Sequence, residues 1–224
     1  MHARPPGRPG PPVPRGRPMP PGLPTQRLFI GVPLDSNALR AVAGLVADLR
    51  ADEAAARSAG AGAHGRSGIR WVRPEGVHLT LRFLGPTHPA LVAAAASALE
   101  AAAAGVGAFT VRIAGGGAFP RQSAPRVLWL GVGQGAERLA DLAGRLEAKL
   151  AEAGWPPEGR PFSAHLTLAR ADDVVAARPV ADALVRRAAA LEIGWTADRA
   201  ILFESRTGPG GARYEPLRVV PLVG

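Results

Sequence analysis

The tetrapeptide His-Leu-Thr-Leu occurs twice in this chain, at residues 78–81 and again at residues 165–168. Both copies lie in apolar runs that are typical of short strands. Alternate side chains of a strand share a face, so each His and Thr point one way while the two leucines point the other. The repeat therefore predicts two strands that bury leucine in a core and present an imidazole and a hydroxyl on the opposite face.

Strand-like and helix-like segments alternate along the rest of the chain. Short β-type runs are bounded by turn residues, and leucines at helical spacing mark residues 136–153. Strands are predicted at 27–32, 77–84, 109–113, 126–132, 162–168, 200–204 and 213–219, and helices at 36–57, 89–104, 136–153 and 173–190. Several of these strands are expected to be antiparallel neighbours, which predicts an α+β or mixed α/β domain.

Length and composition exclude several classes of protein. A chain of 224 residues that is 47% hydrophobic can bury a core as one domain or as two small lobes. The absence of cysteine excludes disulfides, thiolate metal sites and cysteine nucleophiles. No run of 18 apolar residues is present, so no membrane span is predicted.

Residues 1–24 form a proline-rich segment with four arginines and no acidic residue. Proline at this density disfavours both helix and central strand, so we expect a disordered or polyproline-like arm ahead of a domain at 25–224. The arm lacks the apolar centre of a secretory signal, and the protein is expected to be cytoplasmic. Either the arm binds RNA or another partner, or it is a dispensable extension; the sequence leaves both interpretations open.

The paired motif suits acid–base chemistry at phosphorus. Imidazole titrates near neutrality, so of His78 and His165 one can serve as a base and the other as an acid. The hydroxyls of Thr80 and Thr167 can donate hydrogen bonds to an oxyanion beside each imidazole. Such a set fits an in-line displacement at phosphorus. A metal centre is a weaker interpretation, because two histidines without a clustered third ligand make a poor zinc site.

Several stretches of the chain also carry a family resemblance, which extends from about residue 26 to residue 220. They read RLFIGVPL, WVRPEGVHLTLRFLG, RVLWLGV, PFSAHLTLAR and ILFESRTGPGGARYEPL. The paired His-x-Thr-x motif resembles the two-histidine phosphoesterase superfamily. The flanking stretches are most similar to its RNA 2′,3′-cyclic phosphodiesterase branch, which is also called 2′-5′ RNA ligase-like.

The resemblance implies a fold and a set of residue roles. The fold is α+β and bilobal with pseudo-twofold symmetry, and two antiparallel sheets line a central cleft with helices on the outside. His78 corresponds to the proton donor and His165 to the proton acceptor. Thr80 and Thr167 correspond to phosphate-binding residues. Arg170 corresponds to an arginine that helps to hold the phosphate, a role that suits a guanidinium group.

Strand alternation bears on which arginine can reach the phosphate. Arg170 lies an odd number of residues after His165, so its side chain points away from the cleft unless the strand ends or bulges there. Arg82 lies an even number of residues after His78 and is expected on the same face. We therefore keep both Arg170 and Arg82 as candidates for phosphate binding.

Three other features are interpreted as structural. Phe29 lies in the first predicted strand and could stack on a nucleobase, but a place in the core is favoured. Tyr214 is the single tyrosine; its hairpin could reach the cleft, but packing is the favoured role. Residues 115–117 are three glycines without the surrounding pattern of a nucleotide-binding loop, so no nucleotide cofactor is implied.

Together these observations predict a metal-independent enzyme, without any other cofactor, that opens RNA 2′,3′-cyclic phosphate ends to 2′-phosphomonoesters. The identity of the product is implied by the resemblance. RNA or oligonucleotide ends with a cyclic phosphate are the expected partners of a monomer that does not associate with a membrane. Three alternatives stay open: a 2′-5′ RNA ligase, a phosphodiesterase for another small cyclic phosphodiester, and a non-catalytic RNA-binding protein.

Overall fold

The computed structural model describes residues 25–59, 68–208 and 211–224. The proline-rich arm, together with the prediction made for it, lies outside this part of the chain. The strands of the described residues are β1 Gln26–Pro33, β2 Ile69–Trp71, β3 His78–Thr87, β4 Phe109–Arg121, β5 Ala124–Val132, β6 His165–Ala171, β7 Gly194–Ala197, β8 Arg199–Gly208 and β9 Gly211–Pro221. The α-helices are α1 Ser36–Ala59, α2 Val92–Ala103, α3 Ala136–Glu152 and α4 Val174–Ala188.

The described strands form one antiparallel sheet in the order β7-β4-β5-β6-β3-β1-β8-β9, with β2 paired to β6. The predicted combination of helices with antiparallel strands is confirmed. The two motif strands lie at the centre of this order, where Leu79 pairs with Leu166. The resemblance implies two sheets, whereas the structure has one continuous sheet. In that sheet, further strands lie on either side of the central β6–β3 pair.

The leucines of both motifs lie in the core, as their spacing predicts. Leu79, Leu166 and Leu168 are fully buried, and Leu81 is 6% exposed. Helix α3 packs against β3, and α4 packs against β4 and β5. The predicted leucine stripe of α3 is buried as well, at Leu139, Leu142, Leu146 and Leu150. None of the described helices has the length and apolar character that crossing a membrane requires.

Most predicted elements are present, with differences at their ends. Strand β6 begins at His165 rather than at residue 162, and α2 is preceded by a 3-10 turn at Pro89–Leu91. Strands β2 and β7 were not predicted, because three and four residues are too few to show a periodic pattern. Helix α4 runs through Pro179 without ending there.

Strand β3 contains an extra residue directly after its His-x-Thr segment. Gly31 of β1 lies opposite Thr80, and Ile30 lies opposite Arg82, so Leu81 is the additional residue. Such a bulge shifts the alternation of side chains by one position. After Leu81 the side chains of β3 therefore exchange faces.

Strand β6 has a bulge at the same place in its motif. Trp129 of β5 lies opposite Thr167, and Leu128 lies opposite Ala169, so Leu168 is the additional residue. Leu168 and Ala169 are both buried, and the next residue, Arg170, is exposed. The two motif strands therefore match in sequence and also in the irregularity that follows the motif.

Candidate active site

The polar residues of both motifs line one cleft on the face opposite the leucines. The cleft has two adjoining cavities, one lined by His78 and the other by His165. Four residues line both cavities: Thr80, Phe83, Thr167 and Arg170. The cleft therefore brings together the two imidazoles, the two threonine hydroxyls and a guanidinium group.

Each imidazole is held by a hydrogen bond to the backbone two residues before it. Nδ1 of His78 lies 2.7 Å from the carbonyl oxygen of Gly76, and Nδ1 of His165 lies 2.8 Å from that of Ser163. A carbonyl oxygen can only accept, so Nδ1 carries a proton and donates in both cases. In the neutral state Nε2 is consequently the unprotonated nitrogen of each ring. Both rings thus have Nε2 available to exchange protons.

Aromatic rings enclose His78. Phe29 stacks on the imidazole with centroids 4.5 Å apart and planes inclined by 25°, and Tyr214 meets it edge-on at 5.1 Å. Phe203 stacks on Phe29 at 5.0 Å, and its ring centroid lies 6.1 Å from that of His78. Tyr214 also packs against Gly76, where a Cβ atom would lie only 3.0 Å from the tyrosine ring. The absence of a side chain at Gly76 allows Tyr214 to cover both the imidazole and the turn that accepts its hydrogen bond.

This enclosure changes the proton affinity of His78. Burial lowers the pKa of His78 to about 4, against an ordinary value of 6.5. The hydrogen bond to Gly76 opposes the change, and the nearby positive charge of His165 adds to it. With the cleft empty, His78 is therefore neutral at pH 7.

His165 lies on the more open side of the cleft. Its ring has an edge-on contact with Phe119 at 5.2 Å, and Phe119 rests against Trp129 at 5.1 Å. The cavity at His165 extends as a groove toward α3, which contributes Ala143 and Glu147 to its lining. The groove beside His165 has room for a molecule larger than water.

Arg170 reaches the cleft because of the bulge at Leu168. The shift in alternation brings its side chain to the same face as His165 and Thr167, although the residue count alone puts it on the other. Within the described part of the chain its guanidinium has no hydrogen-bond or ion-pair partner. It lies close enough to Tyr214 to oppose the rise in the pKa of that phenol caused by burial. Arg170 is thus a cation available to a bound anion.

Arg82 is oriented differently from the expectation based on alternation. The bulge at Leu81 directs it toward α3, where its Nε lies 2.8 Å from Glu147 and its Nη1 lies 3.1 Å from Glu158. Its side chain is only 10% exposed, although it borders the groove. The regular alternation assumed for this strand was wrong at this point, and two carboxylates already neutralise the guanidinium.

Three aromatic residues belong to the site, although the sequence favoured packing for two of them and did not identify the third. Phe29 is buried as expected, but it also forms the stacking surface for His78. Tyr214 does pack, and it lines the cleft as well. Phe83 follows the first motif and is 54% exposed in the cleft. The signal for Phe83 was its place in a motif strand, but its direction depends on the bulge.

The described residues contain no group of three or more His, Cys, Asp or Glu side chains arranged to hold a metal ion. Metal independence remains a prediction, which requires an assay with a chelator.

Comparison with known protein families identifies a superfamily for this chain. The family model of the 2′-5′ RNA ligase superfamily matches residues 39–209, which include both His-x-Thr motifs, Arg82 and Arg170. The match covers more than half of the chain and agrees with the resemblance found from the motifs.

Curated relatives carry a common name. An RNA 2′,3′-cyclic phosphodiesterase of Archaeoglobus fulgidus is 31% identical over 194 residues, which are 86% of this chain and 98% of the relative. One of Aeropyrum pernix is 38% identical over 108 residues, 48% of this chain and 60% of the relative. Further relatives of this name match over about half of their own length.

Solved structures have the same fold. A crystal structure of E. coli LigT complexed with 3′-AMP is 24% identical, with a TM-score of 0.66 over 90% of this chain and 100% of LigT. LigT complexed with phosphate is 25% identical, with a TM-score of 0.62 over 89% of this chain and 99% of LigT.

Proposed function

Because the chain belongs to the 2′-5′ RNA ligase superfamily, we propose that it hydrolyses RNA 2′,3′-cyclic phosphate ends to 2′-phosphomonoesters. The observation that carries this proposal is the pair of imidazoles in one cleft, each tethered through Nδ1 and each beside a threonine on its own strand. Two proton-transfer groups on separate strands are what an in-line displacement needs, because the attacking and leaving oxygens lie on opposite sides of phosphorus.

In the proposed reaction, Nε2 of His165 takes a proton from a water molecule as its oxygen bonds to phosphorus. The bond between phosphorus and the ribose 3′ oxygen breaks, and Nε2 of His78 donates a proton to that oxygen. The product is a 2′-phosphomonoester with a free 3′ hydroxyl. One water is consumed, and proton return from His165 to His78 through solvent restores the enzyme.

Binding of the anionic substrate favours protonation of His78, which takes the proton it later donates from solvent. The pKa of about 4 makes the ring neutral in the empty cleft at pH 7. A phosphodiester anion beside the ring favours the imidazolium form and raises this pKa. Thr80 and Thr167 donate hydrogen bonds to the non-bridging oxygens, and the guanidinium of Arg170, which has no partner among the described residues, supplies a charge-assisted bond. These contacts stabilise the charge that develops in the transition state.

The relatives support this assignment. The curated relatives of Archaeoglobus fulgidus and Aeropyrum pernix are named RNA 2′,3′-cyclic phosphodiesterases, and LigT has been crystallised with phosphate. The strand order also supports two pseudo-twofold lobes that each contribute one motif. One lobe would hold β7, β4, β5 and β6, with β2 added at β6, and the other β3, β1, β8 and β9. Arg82 has no part in this proposal, since Glu147 and Glu158 neutralise it.

The test is turnover of 2′,3′-cyclic AMP by purified protein in excess EDTA. We expect conversion to 2′-AMP, and a loss of about 100- to 10,000-fold in kcat on His78→Ala or His165→Ala, the range for removal of a general acid or base. His88→Ala is the matched control, because that imidazole caps the 3-10 turn ahead of α2 and is remote from both motifs. Undiminished turnover in His78→Ala or His165→Ala would contradict the proposed function. Complete loss of wild-type activity in EDTA would instead favour a metal centre.

The groove at His165 also favours a second reaction. A 5′ hydroxyl that replaced water at Nε2 of His165 would form a 2′-5′ phosphodiester with the same leaving oxygen, and the groove is open to such a nucleoside. Incubation of a cyclic-phosphate oligonucleotide with a 5′-hydroxyl oligonucleotide, followed by gel analysis, distinguishes ligation from hydrolysis. RNA binding without either product would instead indicate a non-catalytic RNA-binding protein.

A further inference from the structure

A second arginine lines the cavity at His78 and has no role in the proposed reaction. Arg27 belongs to the lining of this cavity but not to that of the groove at His165, whereas Arg170 belongs to both. Among the described residues, the guanidinium of Arg27 has no hydrogen-bond or ion-pair partner. A guanidinium that lines a cleft without a carboxylate partner is a candidate for binding an anionic part of the substrate.

Strand β1 directs the side chain of Arg27 into the cleft. The pairing of β1 with β8 is regular from Leu28 to Gly31, so alternate residues of β1 share a face. Phe29 lies on the cleft face, where it stacks on His78. Arg27 precedes Phe29 by two residues and therefore lies on the same face, in agreement with its place in the cavity lining.

The carboxylate beside this end of β1 binds a different arginine. Glu204 of β8 lies opposite Leu28, and opposite residues share a face, so Glu204 points away from the face of Arg27. Its carboxylate accepts a hydrogen bond of 3.0 Å from Arg206, which is also 2.9 Å from Glu215. These ion pairs neutralise Arg206 and leave the charge of Arg27 for a bound anion.

A hydroxyl group lies at the same end of the cavity. Ser205 follows Glu204 and pairs with Tyr214 of β9, and both residues line the cavity together with Arg27. Continuing the register of β1 and β8 by one residue places Ser205 opposite Arg27. A hydroxyl can donate a hydrogen bond to an anion that the guanidinium holds. This end of the cavity thus offers the two donor types that suit a phosphate group.

The position of Arg27 along β1 indicates which phosphate it can reach. Gly31 lies opposite Thr80, at the position proposed for the reacting phosphate, and Arg27 is four residues before Gly31. Four residues of a strand span about 13 Å. In the proposed reaction, the ribose lies on the His78 side, because its 3′ oxygen takes a proton from His78. A ribose and an extended arginine side chain together span this distance, which brings a phosphate on the 5′ oxygen within reach of the guanidinium.

We propose that Arg27, assisted by Ser205, binds the phosphate on the 5′ oxygen of the terminal nucleotide. The enzyme is then selective for ends of RNA chains over nucleoside cyclic phosphates, because a chain carries this phosphate and a nucleoside does not. This inference rests on the proposed function, since the role of His78 sets the side on which the ribose lies. Arg170 holds the reacting phosphate, and Arg27 holds the phosphate one position upstream.

The experiment compares two substrates that differ by one phosphate, 2′,3′-cyclic AMP and its 5′-phosphorylated form. We expect kcat/KM of the wild-type protein to be roughly 10- to 100-fold higher for the 5′-phosphorylated substrate, as a hydrogen bond between charged groups provides. Arg27→Gln should lower this ratio at least fivefold and leave kcat/KM for 2′,3′-cyclic AMP within twofold. Arg27→Lys keeps the charge and should retain part of the preference.

Arg178→Gln is the matched control. Arg178 is exposed on α4 and lines neither cavity, so the same change of charge there should leave the ratio between the two substrates unchanged. An equal fall of the ratio in Arg178→Gln and Arg27→Gln would show a general effect of protein charge and overturn the inference.

The remaining outcomes separate this inference from the function on which it rests. Wild-type protein that is inactive on both substrates would contradict the proposed function itself. An active wild type without preference for the 5′-phosphorylated substrate would overturn the role of Arg27 alone. Equal losses on both substrates in Arg27→Gln would overturn it as well, because they would assign Arg27 to the reacting phosphate or to the packing of the cleft.

Discussion

The two histidines of the cleft have matching backbone positions but different surroundings. Each begins a motif strand, and each donates from Nδ1 to a carbonyl two residues earlier. His78 is stacked on Phe29 and covered by Tyr214, whereas His165 has one edge contact with Phe119 and faces a groove. The repeated motif therefore supplies the tether, and the neighbouring aromatic residues supply the difference between the two sides.

This difference shows how a duplicated motif can provide two unlike chemical groups. The enclosure of His78 lowers its pKa, and in the proposed reaction a bound anion restores its protonation. In the proposed reaction, the attacking molecule enters through the open groove at His165. Identical tetrapeptides can thus serve as donor and acceptor because the chain packs different residues around them.

Apart from removal of an imidazole, the largest loss of activity is expected when the packing around His78 alone is disrupted. A Cβ atom on Gly31 would lie 2.7 Å from the carbonyl oxygen of Leu79 and 3.1 Å from Cδ2 of His78. Gly31→Ala should therefore displace the imidazole and lower kcat about 100-fold, the cost of misplacing a catalytic group by about 1 Å. Gly44→Ala is the matched control, because Gly44 lies in α1 with open space around its Cα and alanine should be tolerated or slightly stabilising.

Steady-state kinetics together with the thermal midpoint of unfolding test this prediction. The prediction is contradicted if kcat stays within twofold of the wild-type value while the variant is folded.

A smaller effect is expected on the pH dependence of stability. The folded-state pKa of His78 is lowered, so the unfolded chain binds more protons between pH 6.5 and about 4. The free energy of unfolding is therefore unaffected by this group above pH 6.5. It decreases as the pH falls from 6.5 toward 4, by an amount of the order of 3 kcal/mol. His78→Asn keeps an amide donor near the position of Nδ1 but cannot become charged, and should lack this loss.

Urea unfolding between pH 4 and 7 measures this difference. His165→Asn, which leaves the enclosure of His78 intact, should retain the wild-type slope more closely than His78→Asn does. Equal slopes for wild type and His78→Asn would show that His78 is not enclosed as described.

The smallest effects are expected from substitution of Arg170 and Arg82, which should change different properties of the protein. Arg170→Ala should lower kcat/KM for 2′,3′-cyclic AMP about tenfold, because it removes a charge-assisted bond to phosphate, and should leave stability nearly unchanged. Arg82→Ala should instead lower the free energy of unfolding by about 1–2 kcal/mol, since it leaves Glu147 and Glu158 without their cation, with little effect on kcat/KM. Kinetics and urea unfolding of both variants check this contrast. A loss of activity in Arg82→Ala and a loss of stability in Arg170→Ala would contradict the directions assigned to these two side chains.

The sequence predicted the parts of this site that depend on alternation within the motifs. The burial of Leu79 and Leu166 on the face opposite the imidazoles follows from a period of two residues. A shared cleft for His78 and His165 was implied by the family resemblance and not by the pattern itself. The family resemblance read from the same stretches is confirmed by the family model. The helices and most strands were also predicted, because their periodic segments are long enough to recognise.

What the sequence did not predict depends on single extra residues and on contacts between distant segments. The bulges at Leu81 and Leu168 reverse the faces of Arg82 and Arg170, and nothing in either tetrapeptide marks an extra residue. The enclosure of His78 comes from Phe29 and Tyr214, which lie on strands far apart in the chain. Residue counting could raise the possibility of a bulge at Arg170, but only the pairing of β5 with β6 resolves it.

A crystal structure of the protein with bound 2′-AMP tests the central claim most directly. The account predicts that one phosphate accepts hydrogen bonds from Nε2 of both His78 and His165 and from the hydroxyls of Thr80 and Thr167. A phosphate that contacts only one of the two imidazoles, or a nucleotide bound outside the cleft, would contradict it.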